Sequence, residues 1–142
     1  MTNRLFTENK NIKENVKNDI FLKQQVERIK SDSEKFANKD IAALTYTSFK
    51  KFYVTGSRKE YEYEYFLHRR QLNDFAILNI LYDDEKYRLC LQDIIWSILD
   101  EFTWALPAHI PQNTDIENCI THIDLFASET AFALAEISHI LS

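Results

Sequence analysis

"DDEKYRLCLQDIIWSILDEF", Asp83 to Phe102, decides the fold class. Tyr87, Leu91, Ile94, Ile98 and Phe102 step by four, three, four and four residues, with Cys90, Ile95 and Leu99 alongside. That is the period of a helix with one buried face. The preceding "YDDEK" breaks the chain, and Asp83 or Asp84 caps the start. The helix is expected to stop before Pro107, because a residue before proline is pushed out of helical geometry.

The flanking sequence reads the same way. Gly56 ends one element, and "SRKE" (Ser57 to Glu60) has the spacing of a capping box. A helix is expected from Arg58 to Leu81, with Tyr61, Tyr65, Leu72, Phe75 and Ala76 on its buried face. "IAALTYTSFKKFYVTGSR", Ile41 to Arg58, is rich in β-branched and aromatic residues but has the spacing of an irregular helix. Nearer the start, Ile12, Val16, Ile20, Val26 and Ile29 mark a mostly exposed helix from Glu8 to Lys30. "SDSE" at Ser31 either restarts that helix with a kink or is fortuitous. Near the end Asp124 caps a last helix, whose Ala127, Ala131, Ala133 and Ala135 let a neighbour approach closely. No stop signal follows it, so the natural domain is expected to continue past Ser142.

The chain has one glycine and none of the Asn-Gly or Asp-Gly turns that tight hairpins use. The expected fold is all-α, built of antiparallel helical hairpins, with residues 1–40 a polar helical segment and 41–142 the helical-hairpin domain. A net charge of −5, with lysines interleaved among acids, argues against nucleic acid. No apolar run approaches the ~18 residues of a membrane span. "MTNRLFTENK" has no signal-peptide core, so a reduced cytoplasmic setting is the expectation. Cys90 and Cys119 belong to no CxxC, and Cys90 reads as a core thiol.

Three strings carry a family resemblance: "TGSRKEYEYEYFLHRRQLNDFAILNIL" (Thr55 to Leu81), "WSILDEFTWALPAH" (Trp96 to His109) and "IDLFASETAFALAEISHIL" (Ile123 to Leu141). The chain from about Thr45 to Leu141 resembles the N-terminal helical region of heparinase II/III-like polysaccharide lyases. The resemblance implies an incomplete α/α toroid around a cleft, followed in the family by a β-sandwich region. It also implies β-elimination of uronic-acid-containing polysaccharides. That chemistry needs a base for the C5 proton and a group that neutralises the neighbouring carboxylate. The family uses an Asn, a Tyr and a His, in motifs expected beyond the end of this chain, and no matching Asn motif occurs here. The chain is therefore expected to supply cleft wall and substrate contacts without the full catalytic set.

Four residues are candidate contacts for an acidic polysaccharide or oligosaccharide. Trp104 and His109 flank Pro107 in "FTWALPAH", where a fixed turn could present an indole and an imidazole on one concave surface. A buried Trp plugging a helix end and a His bonding a carbonyl is the structural alternative. Arg69 and Arg70 could reach a uronate carboxylate, or pair with Glu62, Asp74 or Glu101. Asp124 reads as a helix cap, and Glu129 as an inter-helix ion pair with Arg69 or Arg70. No cofactor is implied. No metal is expected either, since His109, His122, Asp124 and Glu129 lack ligand spacing. A different class of function remains open: a non-catalytic helical interaction module, docking on remaining lyase domains or on another helical chain. If the chain is part of a larger helical array, the last helix should leave an apolar face uncovered.

Overall fold

The computed structural model describes residues 11–37 and 39–141, and all regular structure among them is helical. In chain order the helices are α1 (Ile12–Asn18), α2 (Ile20–Ser33), α3 (Tyr46–Thr55), α4 (Lys59–Tyr82), α5 (Glu85–Leu99), α6 (Ile116–Cys119) and α7 (Leu125–Leu141). A 3₁₀ turn, Pro107–His109, lies between α5 and α6. No described helix is long and apolar enough to cross a membrane.

The core has two parts. In the first, Leu72, Phe75 and Leu78 of α4 meet Tyr87, Leu91, Ile94 and Ile98 of α5, with Ile137 of α7 closing over them. Ile29 and Ala37 pack against the same cluster, so packing continues across the boundary expected near residue 40. In the second, Phe49 of α3 and Tyr61 and Tyr65 of α4 enclose Ala105, Leu106 and Ile110. Each such buried side chain contributes about 1.5–3 kcal/mol, so these seams outweigh the exposed ion pairs, worth about 0–1 kcal/mol each.

Local chemistry explains where the helices begin and end. Gly56 takes φ 71° at the end of α3, a left-handed conformation that glycine adopts without strain. Thr45 caps the start of α3 through the Ser48 amide. Asp83, in left-handed geometry, ends α4, and Asp84 caps α5 by accepting from the Lys86 amide.

Several expected boundaries are corrected. The single N-terminal helix is two, because the Asp19 carboxylate accepts from the Phe21 and Leu22 amides and starts α2 afresh. The Glu8 to Lys10 part of that expected helix lies outside the described residues. "SDSE" restarts nothing, since α2 runs through to Ser33. Residues 41–45 are not helical, and α3 begins at Tyr46. The "SRKE" box does not form as a cap: Ser57 Oγ donates to the Glu60 side chain at 2.9 Å, and Arg58 occupies the cap position without a side-chain capping bond. Finally, α5 ends at Leu99, well before Pro107. The Trp104 indole N–H donates to the Ile98 carbonyl at 2.8 Å, which also accepts from the Glu101 amide at 3.3 Å. Phe102 therefore leaves the helical stripe and lies exposed. Pro107 opens the 3₁₀ turn rather than stopping α5.

Candidate functional site

The polar residues of the C-terminal half gather at two places. At the first, Glu101, just past α5, has only 3% of its side chain exposed. Its Oε1 accepts from Arg69 Nη1 at 2.5 Å and lies 3.0 Å from His68 Nδ1. Arg69 Nε donates to Thr130 Oγ1 on α7 at 3.2 Å, and its guanidinium sits 3.7 Å above the Tyr65 ring. Tyr65 Oη donates to the Trp104 carbonyl at 2.8 Å. His68 Nε2 donates to the Ala42 carbonyl at 2.9 Å. Burial pushes the phenols of Tyr61 and Tyr65 up from their ordinary range. This cluster joins α4, the turn after α5 and α7, in a setting where losing one member leaves a buried charge uncompensated.

At the second place Asp124 holds three groups. Its Oδ1 accepts from the Ala127 amide at 2.7 Å, capping α7, and its Oδ2 accepts from the Leu106 amide at 3.1 Å. The same Oδ2 lies 2.7 Å from His109 Nδ1. Burial alone would raise this carboxyl, but the Ala127 and Leu106 amides and His109 outweigh it and hold the group below its usual value. His109 also stacks on Phe126, with ring centroids 5.5 Å apart.

Between α5 and α7, which both rest on α4, a trough opens. Its larger part, about 880 Å³, is walled by Leu91, Gln92 and Ile95 of α5 and by Leu134, Ile137 and Ser138 of α7. Leu99 lines this part and also an adjoining groove of about 540 Å³, edged by Trp104, His122, Ile123, Ala127 and Ala131, with Glu101 among its lining residues. Ala131 is exposed and Leu134 half-buried, so part of the last helix's apolar surface is left uncovered by the described residues. Beside the trough, Trp96 exposes 78% of its surface.

The candidate residues of the sequence scatter across these features. Trp104 borders the smaller groove, whereas His109 is not among the residues lining it and is taken up by Asp124 and Phe126. Arg69 meets Glu101, the structural alternative stated for it, and Arg70 points to the exposed side of α4. Glu129 is exposed and forms no bridge to either arginine; the neighbouring Thr130, buried one residue on, is what meets Arg69. The pairing fails because adjacent helix positions point about 100° apart. Sequence reasoning missed His68, Thr130 and the trough. For the trough the signal was present, since α5 carries apolar residues on a second, outward face at Leu89, Trp96 and Leu99. No family model, curated protein or solved structure matches the chain.

Proposed function

We propose that the chain is a non-catalytic helical docking module, whose trough between α5 and α7 receives an apolar surface of another helical domain or chain. One observation carries this reading: a trough whose floor and walls include Leu91, Ile95, Leu99, Leu134 and Ile137 lies open beside the exposed Trp96. Exposed apolar patches of this kind on soluble chains commonly mark interaction sites. The small side chains Ala131 and Ser138 on the α7 rim suit the close approach of a helix. The polar clusters at Glu101 and Asp124 join α7 to α4 and to the loop that follows α5. The test is a photo-cross-linking side chain placed at Ala131, with one at Lys50 as control. Adducts of defined mass at Ala131 and none at Lys50 support the reading. No excess at Ala131 over Lys50 overturns it.

A second reading is favoured by the indole of Trp104 in the smaller groove. In it the chain is the N-terminal part of a heparinase II/III-like lyase and the groove is a saccharide subsite. An indole face suits a sugar ring, and His122 offers a hydrogen-bond partner. Glu101 works against an acidic sugar here, because a carboxylate on the groove wall repels a uronate. Isothermal titration with uronate oligosaccharides tests this reading, and absence of heat at millimolar ligand rejects it. The chain alone is expected to release no 4,5-unsaturated product.

A further inference from the structure

We infer that the corner between α1 and α2 binds an anionic lipid surface, with Ile20 and Phe21 inserted among the lipids and Lys13, Lys17 and Lys23 on the headgroups. The inference does not depend on the docking reading.

Ile20, Phe21 and Leu22 open α2 and expose 77%, 63% and 39% of their surface. Three consecutive apolar residues left to solvent are a liability unless something uses them. Their place is a tip. The Asp19 carboxylate starts α2 afresh by accepting from the Phe21 and Leu22 amides. Val16 of α1 and Val26 of α2 line the same two cavities, of about 220 and 320 Å³, so the helices fold back on each other. Ile20 and Phe21 line neither cavity and stand outward from the turn. A protein partner would need a shaped pocket to receive such a protrusion. A fluid lipid phase accepts it without one.

Charge names the kind of lipid. Lys13, Lys17 and Lys23 line the smaller cavity together. None of the three forms an ion pair with a described residue. Glu27, the acid in that lining, accepts from the Tyr82 hydroxyl at 3.3 Å, and Lys30 lies 4.9 Å over the same ring. Glu14 is exposed but stays outside the lining. Three ammonium groups thus gather around one hollow against a single carboxylate, in a chain whose net charge is −5. Lys17 and Lys23 come three residues before and after Ile20, about one helical turn behind the tip. An interfacial element sinks about 5–10 Å into the boundary of headgroup and acyl chain. As the tip enters, lysines on flexible stems reach the headgroup level, where each adds to the attraction for anionic lipid.

Flotation of the full chain with vesicles tests this, one set of phosphatidylcholine alone and one mixed with phosphatidylserine. Wild type should bind the anionic vesicles at least about tenfold more tightly and lose that preference as salt rises. Phe21→Asp should weaken binding by at least about tenfold while circular dichroism stays that of the folded chain, since the side chain replaced is exposed. Lys17→Glu combined with Lys23→Glu should bring the anionic vesicles down to the neutral level. Phe21→Trp should keep the affinity and be quenched by brominated lipid beyond wild type, which reports insertion at that residue. No binding, binding indifferent to lipid charge, or binding indifferent to Phe21→Asp overturns the inference. So does binding that Trp96→Asp removes and Phe21→Asp spares, which would put the lipid at the trough. Adducts from Ala131 are read separately, so the docking reading stands or falls by itself.

Discussion

Glu101 is the residue on which the C-terminal half turns. It is nearly fully buried and receives Arg69 while His68 faces the same oxygen. Replacing it by Gln keeps the shape and removes the charge, leaving a buried guanidinium facing a neutral amide. Breaking a buried pair in this way costs about 3–5 kcal/mol, against about 0–1 for an exposed one. For a chain of this size that is a fall in melting temperature on the order of 10 °C, readable by calorimetry. Glu101→Gln combined with Arg69→Met should recover much of it; a single-variant loss below about 1 kcal/mol would show the cluster to be solvated. Asp74 behaves in the opposite sense. Burial raises its carboxyl to about 6, Arg70 pulls it down without prevailing, and Asp32 adds to the rise. A carboxyl whose pKa is raised on folding favours the folded state only while protonated, so its contribution is fully present below about 4 and lost as pH rises through 6. Asp74→Asn should therefore raise the melting temperature at pH 7.5 and leave it nearly unchanged at pH 3.5. Equal effects at the two pH values would rule out this titration as the cause.

At the scale of the element, one side chain ties the loop from Thr103 to Ile110 to the start of helix α7. Asp124 caps α7 at the Ala127 amide and fixes the loop at the Leu106 amide and His109. Asp124→Ala should cost about 2 kcal/mol, the sum of a lost cap and a lost hydrogen bond to a buried amide. Hydrogen exchange would show the Leu106 and Ala127 amides losing protection together, with the α4–α5 seam unmoved. Asp124→Ser should restore protection at Ala127 alone, because the shorter hydroxyl keeps the cap and not the loop contact. The cap was legible in the sequence and the loop contact was not. A cap depends on residues three apart, whereas Leu106 and Asp124 are brought together only by the fold. The same distinction runs through the other elements. Gly56 and Asp84 announce their boundaries locally. Asp19 did not, because the apolar stripe from Val16 to Ile20 passes over it at helical spacing and hides the break. The end of α5 escaped for a third reason. It ends in a tightened last turn, with the Trp104 indole N–H also bonding the Ile98 carbonyl, eight residues before the Pro107 that the sequence puts forward. Of the two readings the sequence offers for Trp104, a groove contact or a plug at a helix end, its N–H takes the second, while its side chain still borders the smaller groove.

Over the whole molecule, stability is concentrated on α4. It is the helix against which α2, α3, α5 and α7 all pack, and it contributes to both parts of the core. Helix α1 differs from them: none of its residues is buried, and it meets mainly α2. Helix α2 carries Val26 and Ile29 inward, and Ala37 follows them onto the α4–α5 cluster. The division that matters for folding therefore lies near Asp19, where the chain starts α2, and not near residue 40. Two truncations separate these boundaries. A chain starting at Asp19 should unfold cooperatively and within about 1 kcal/mol of the full chain, since none of the described residues it removes is buried. A chain starting at Asp40 uncovers the α4–α5 cluster where Ile29 and Ala37 pack on it and forfeits the burial of Val26, Ile29 and Ala37. At about 1.5–3 kcal/mol for each large apolar side chain, that is a substantial part of the 5–15 kcal/mol by which a domain is stable. Urea titration followed by circular dichroism at 222 nm should show a clear fall in midpoint for the second truncation, with a broadened transition. Equal midpoints for the two would mean that residues 41–142 hold their core without α2 and form the structural unit by themselves.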